Sequence, residues 1–175
     1  TEFVRTGTYR RTRPFTTTTS PSMDILVSSN VERLLWYLTA GDSDRVNRWM
    51  QSLQAEGRYT LEDAALADLA TLFQAWSCPE EEVLRTIREV FQDQRYLLDP
   101  HTAVAACTAR KYREETGARE PVVVLSTASP YKFPSTVLQA LQQPPGGDEF
   151  ENLKALKAAT GVPLPERLRT LADAR

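Results

Sequence analysis

An α/β protein that is predominantly helical, with few strands of its own, is the fold class this sequence predicts. Three observations carry that expectation. The run Val122–Leu125 is apolar and mostly β-branched, the composition of a strand covered on both faces, as in a mostly parallel sheet. Between residues 31 and 95, apolar residues recur at helical spacing in four segments with recognisable start or stop signals. Only one other apolar run, Met23–Val27, invites assignment as a strand, so Val122–Leu125 needs partners that the chain barely offers. The 175 residues, 41% hydrophobic, are enough for one domain with a real core or for one lobe of something larger. The scarcity of strands favours the second option.

Residues 1–22 read as irregular, with the arginines at 10, 11 and 13 leading into Thr16–Thr19 and then Ser20-Pro21-Ser22. This composition suits a surface loop or linker, although a run of four threonines can also form an extended edge strand. The chain opens on Thr1-Glu2-Phe3-Val4 in an amphipathic stretch without an initiator Met, as a cleaved or cut product would. After Met23–Val27, Ser29 and Glu32 have the spacing of a capping box, which predicts a helix over 31–38 with Val31, Leu34, Leu35 and Leu38 on one face.

A second helix is predicted over 45–55, with Asp42 or Ser43 as N-cap and Gly57 as its stop. Thr60 can cap a third over 61–75, and Ser77-Cys78-Pro79 opens a fourth over 80–94. Asp99 then caps another helix, with Pro100 at the first position, where its missing N–H costs nothing, and Gly117 as its end. Following the strand, Pro134 starts a helix through Val137, Leu138 and Leu141. Pro144-Pro145-Gly146-Gly147 breaks the chain before a helical tail from Phe150, interrupted at Gly161, Pro163 and Pro165.

Charge narrows the partners. A net charge of −2 and a pI near 5.5 give no field that would gather nucleic acid or an anionic membrane, and no apolar run approaches a membrane span. Arg5, Arg10, Arg11 and Arg13 could hold a phosphate, but they lack the interleaved aromatics of a nucleic-acid surface. A small ligand or a protein surface is expected instead. Cys78 and Cys107, far apart in sequence and each in a helical context, read as reduced cytosolic thiols rather than a disulfide or zinc knuckle.

Few residues are equipped for chemistry. His101 is the only histidine, which excludes a multi-histidine metal centre. The sequence contains no nucleophile elbow, P-loop or glycine-rich cradle. Among four lysines, Lys132 is distinguished by its flanking Tyr131 and Phe133 and its place beyond the carboxyl end of the predicted strand. There it can bind an anionic group as a point charge, or lie on the surface with its stem over an aromatic ring. Ser126 and Thr127 end the strand itself, where open α/β sheets bind ligands.

Three segments, in order, resemble threonine synthase. They are Ser20–Asn30 with Glu32-Arg33-Leu34-Leu35, then Asp99-Pro100-His101-Thr102-Ala103-Val104, then Ser126-Thr127-Ala128-Ser129-Pro130-Tyr131-Lys132-Phe133. Arg5-Thr6-Gly7-Thr8-Tyr9 joins them, while the helical middle and the tail match loosely. Ser129 stands where many members carry histidine. The resemblance implies the C-terminal part of a tryptophan-synthase-β-like (type II) fold dependent on pyridoxal phosphate.

By the same resemblance, the parent enzyme converts O-phospho-L-homoserine and water to L-threonine and phosphate by γ-elimination and β-addition. The family's cofactor-bearing lysine and its glycine-rich phosphate loop are absent from these residues, so the chain alone is expected to be inactive and to need the N-terminal part of the same enzyme. Thr127 matches the hydroxyl facing the cofactor's pyridine nitrogen; Ser126 is a second cofactor-side candidate. Asp24, His101, Thr102 and Lys132 belong to family motifs and are placed only near the active site. The implied organisation is 1–30 as loop and strand returning to the cofactor-binding core, 31–98 as a helical subdomain, 99–143 as helix-strand-helix of the core, and 144–175 as linker and tail. A cytoplasmic lyase follows; the competing reading is a non-catalytic helical interaction module built on residues 30–95.

Overall fold

The structure, a computed structural model, describes residues 1–173 and forms two compact units, Thr1–Trp76 and Ser77–Arg175. In the first, α1 (Glu2–Thr6) ends at Gly7 and leads into β1 (Thr8–Arg10). Helices α2 (Asn30–Leu38) and α3 (Ser43–Glu56) follow, then β2 (Arg58–Thr60) and α4 (Asp63–Leu72). β1 and β2 pair antiparallel with Tyr9 opposite Tyr59. Those two rings stack at 5.5 Å, the edge of Phe3 closes on Tyr9 and Trp49 lies against Tyr59. Buried Leu35, Val46, Trp49, Leu61, Ala65 and Leu69 complete this core.

Two of the helix signals work as expected here. Asp42 accepts from the Arg45 N–H at 2.9 Å and Gly57 closes α3 at φ 73°, a left-handed conformation that suits glycine. The capping box does not form: Ser29 has helical dihedrals and its side chain makes no cap bond, while Asn30 instead accepts from Arg33. Thr60 is likewise not a cap. It is used by β2, its hydroxyl 3.1 Å from that of Thr8, and Glu62 precedes α4.

The opening region expected to be irregular thus contains a helix and a strand, because Tyr9 and Arg10 find partners some fifty residues away that no local pattern reveals. Conversely, Met23–Val27 is not a strand. Pro21–Met23 is a 3-10 turn, and Met23, Ile25 and Val27 are exposed. Single hydrogen bonds hold this segment: Tyr9 Oη accepts from the Ser28 N–H at 2.7 Å, and Arg13 donates to the Ile25 carbonyl at 2.9 Å. Thr16–Thr19 forms no strand either.

In the second unit, α5 (Glu80–Gln94) packs on α6 (Pro100–Thr116) and on α7 (Pro134–Ala140), and α7 packs on α8 (Glu149–Thr160). A final helix, α9, spans Glu166–Asp173. The core comprises Val83, Ile87, Phe91, Leu97, Leu98, Ala103, Tyr131, Val137, Leu138, Leu153 and Leu156. Each such large apolar side chain contributes on the order of 1.5–3 kcal/mol on burial. Tyr131 also donates to the Val162 carbonyl at 2.5 Å, which ties the chain after α8 to the turn before α7.

The expected core strand Val122–Leu125 is the main correction. It has no regular secondary structure, and Val123 and Leu125 are 82% and 73% exposed. A strand exists only by pairing, and β1 and β2, the paired strands among the described residues, pair with each other. Four apolar residues suited to burial on both faces are therefore left uncovered in the chain by itself.

Candidate functional site

The most constrained polar group in the second unit is Asp99, 1% exposed at the head of α6. Pro100 starts the helix without needing a partner for its nitrogen, so the cap must serve the next two N–H groups. Asp99 Oδ1 accepts from the His101 N–H at 2.9 Å and the Thr102 N–H at 3.3 Å, and lies 3.2 Å from His101 Nδ1. Asp99 Oδ2 accepts from the Thr102 hydroxyl. One carboxylate thereby sets the rotamers of the imidazole and the hydroxyl, both buried. The His101 ring also leans on Phe133, with centroids 4.9 Å apart.

A groove of about 490 Å³ runs beside this knot, lined by Leu98, Thr102, Ala106, Arg110, Arg113, Val122, Val124 and Ser126 among others. The structure brings Thr102 and Ser126 to one groove, while His101 is held beside Thr102 by the same carboxylate. Ser126 and Thr127 are exposed, and neither hydroxyl is engaged by another described residue. Lys132 is exposed at the end of the 3-10 turn Pro130–Lys132, whose N-cap Ser129 accepts from the Tyr131 N–H at 3.3 Å. Ser129 thus has a local structural task.

Asp24 belongs to the first unit. Its carboxylate accepts from the Thr18 N–H at 2.7 Å and from the Thr18 hydroxyl at 2.8 Å, closing the loop between them. It is half-buried and fully occupied with backbone geometry in this arrangement.

Sequence reasoning missed a cluster at the start of α5. Cys78 and Cys107, distant in sequence, have their sulfurs within 4.8 Å of each other and of a Glu82 carboxylate oxygen. Their separation in sequence gave no sign of this approach, which arises because α5 and α6 pack side by side. Burial pushes the Cys78 thiol up to about 12, with the neighbouring Cys107 and Glu82 adding to it. Burial, then Glu82, raises Cys107 too. Lys111 sits 2.6 Å from Glu82, which holds that carboxyl below its ordinary range and the ammonium above its own.

Comparison with known proteins gives this geometry a context. The threonine synthase C-terminal family profile matches residues 102–175. The threonine synthase of Eremothecium gossypii is 36% identical over 98% of this chain and 34% of its own length. The chain belongs to the threonine synthase family.

Two solved structures of the family agree. The crystal structure of threonine synthase from yeast aligns with 98% of this chain and 35% of its own at a TM-score of 0.80 and 32% identity. The structure of PLP-bound threonine synthase from Brucella melitensis aligns with 83% of this chain and 31% of its own at a TM-score of 0.75 and 38% identity. The chain spans about a third of the length of the curated relatives it matches first. Those type II neighbours accord with a mostly helical chain that has few strands of its own.

Proposed function

We propose that this chain is the C-terminal part of a pyridoxal-phosphate-dependent threonine synthase, a lyase acting on O-phospho-L-homoserine. The observation that carries the reading is the alignment of nearly the whole chain with family members at over 30% identity in both sequence and structure. Against the helical-module alternative, the segments that resemble the family lie largely outside the helical middle, at Asp99–Val104 and Ser126–Phe133. In the complete enzyme, residues 1–30 and 99–143 would return to the cofactor-binding core, with 31–98 as helical subdomain and 144–175 as tail. Among the described residues no helix is long and apolar enough to cross a membrane. We assign the complete enzyme to the cytoplasm, in keeping with the two free thiols of this chain.

The residues present fit one edge of the cofactor. Ser126 and Thr127 offer unengaged hydroxyls at the end of an apolar segment. When bound, pyridoxal phosphate supplies the electron sink for carbanion chemistry. Thr127 is assigned the hydrogen bond to the pyridine nitrogen. A neutral hydroxyl need not keep that nitrogen protonated, unlike a carboxylate, and so permits a milder sink. Ser126, the preceding residue, points the other way once the segment is extended, and lines the groove with Thr102.

Asp99 fixes His101 and Thr102 in place, so their positions are set before substrate arrives. Lys132 is assigned to the substrate side as a point charge for an anionic group, and Asp24 to shaping the loop that it closes with Thr18. The covalent lysine and the phosphate-binding loop are assigned to the rest of the enzyme. The test is phosphate release from O-phosphohomoserine: the complete enzyme should catalyse it, and these 175 residues with added cofactor should not exceed a buffer control. Release by the isolated chain would overturn the division of labour.

A further inference from the structure

We propose that Cys78, Glu82 and Cys107 form a site for a thiophilic divalent cation of the zinc class, one ion per chain. The inference stands on geometry. Cys78 lies one residue before the N-cap of α5, Glu82 is in the first turn four residues on, and Cys107 projects from the adjoining face of α6. One ligand atom from each lies within 4.8 Å of the others, and Cys107 Sγ is 3.3 Å from Glu82 Oε2.

Zinc binds thiolate sulfur at about 2.3 Å and carboxylate oxygen at about 2.0–2.2 Å in tetrahedral geometry. Ligand atoms around such an ion therefore stand roughly 3.5–3.8 Å apart, given those bond lengths. The three atoms, all within 4.8 Å of one another, lie close to that spacing. Two sulfurs and one oxygen suit zinc or cobalt and disfavour magnesium or calcium, which prefer all-oxygen sites.

The cluster is already organised around positive charge. Lys111 Nζ is 2.6 Å from Glu82 Oε2 and 2.9 Å from the Ser77 carbonyl. Binding would release one proton from each thiol to solvent, so a dication held by two thiolates and a carboxylate carries a net charge of −1. Lys111, one helical turn beyond Cys107, neutralises it. Three protein ligands leave a fourth position for water or an exchangeable group. Cys107 is buried and Cys78 half-buried, which shields the bonds from solvent while leaving a route for the ion.

The test uses the full chain, reduced and stripped of metal, titrated with cobalt and, separately, with zinc followed by desalting and elemental analysis. The expected result is one ion per chain, with thiolate-to-cobalt charge-transfer absorption and tetrahedral visible bands. Cys78→Ser, on the loop before α5, should abolish the charge-transfer spectrum or weaken binding at least about tenfold, with unchanged far-ultraviolet circular dichroism. Cys107→Ala should do the same, and Glu82→Gln should weaken binding while keeping sulfur-to-cobalt absorption. The proposal is overturned if the reduced chain retains no ion or if Cys78→Ser binds like the parent.

Discussion

Replacing Asp99 by alanine is expected to be strongly destabilising in the second unit. Three losses follow from the geometry. The cap of the 17-residue α6 disappears, which costs about 1 kcal/mol. The Thr102 hydroxyl and the His101 ring nitrogen each lose a buried partner, at roughly 1–3 kcal/mol for a polar group left unsatisfied there. Allowing for water entering the vacated space, the sum is about 3 kcal/mol, a large part of the stability of a domain this size. Asp99→Asn keeps one acceptor oxygen for the N–H groups and should lose less than half as much. Urea melts of the chain and both variants, followed by far-ultraviolet circular dichroism, supply the comparison. A loss below about 0.5 kcal/mol for Asp99→Ala would refute the view that this carboxylate organises the start of α6.

Other outcomes follow from the same contacts. In the complete enzyme, Thr127→Val should weaken cofactor binding or slow turnover roughly ten- to a hundredfold, and Ser126→Val should matter less; cofactor titration and steady-state kinetics of both would read the opposite order if the assignment is wrong. Gly57→Ala places a β-carbon at positive φ and 2.9 Å from the Thr12 methyl, so urea melts should show a loss of about 1–2 kcal/mol. Tyr59 is held neutral by burial, and next by Tyr9, so its ionisation lies above the ordinary value of 10.0. The unfolded chain therefore ionises first: Tyr59's contribution is intact below that value and is lost as pH rises beyond it. The Tyr59 hydroxyl is buried with no hydrogen-bond partner among the described residues, so Tyr59→Phe should be neutral or stabilising near neutral pH and should flatten the alkaline loss.

Helices were legible in the sequence through local signals, although the Ser29–Glu32 box and the Thr60 cap did not form. Asp42, Asp99, Gly57 and Gly117 each act within a few residues of themselves, and the structure uses all four as read. Pairing was not legible. The Tyr9–Tyr59 stack, the Cys78–Cys107 approach and the anchoring of Ser28 by Tyr9 join residues far apart in sequence, and nothing in their neighbourhoods encodes the partner. Val122–Leu125 failed for a related reason: its composition records burial on both faces, a condition met only by neighbours that this chain by itself does not bring to it. At the site, Asp99 was legible as a cap, while its grip on the His101 ring depends on rotamers that sequence spacing does not determine.

The central claim, that these residues complete a threonine synthase, is tested most directly by product analysis of the complete enzyme supplied with O-phospho-L-homoserine, water and pyridoxal phosphate. Threonine and inorganic phosphate should appear in equal amounts, and the rate should fall when Thr127 is replaced by valine. Absence of threonine from a folded, cofactor-loaded enzyme would contradict the account, as would phosphate release without threonine.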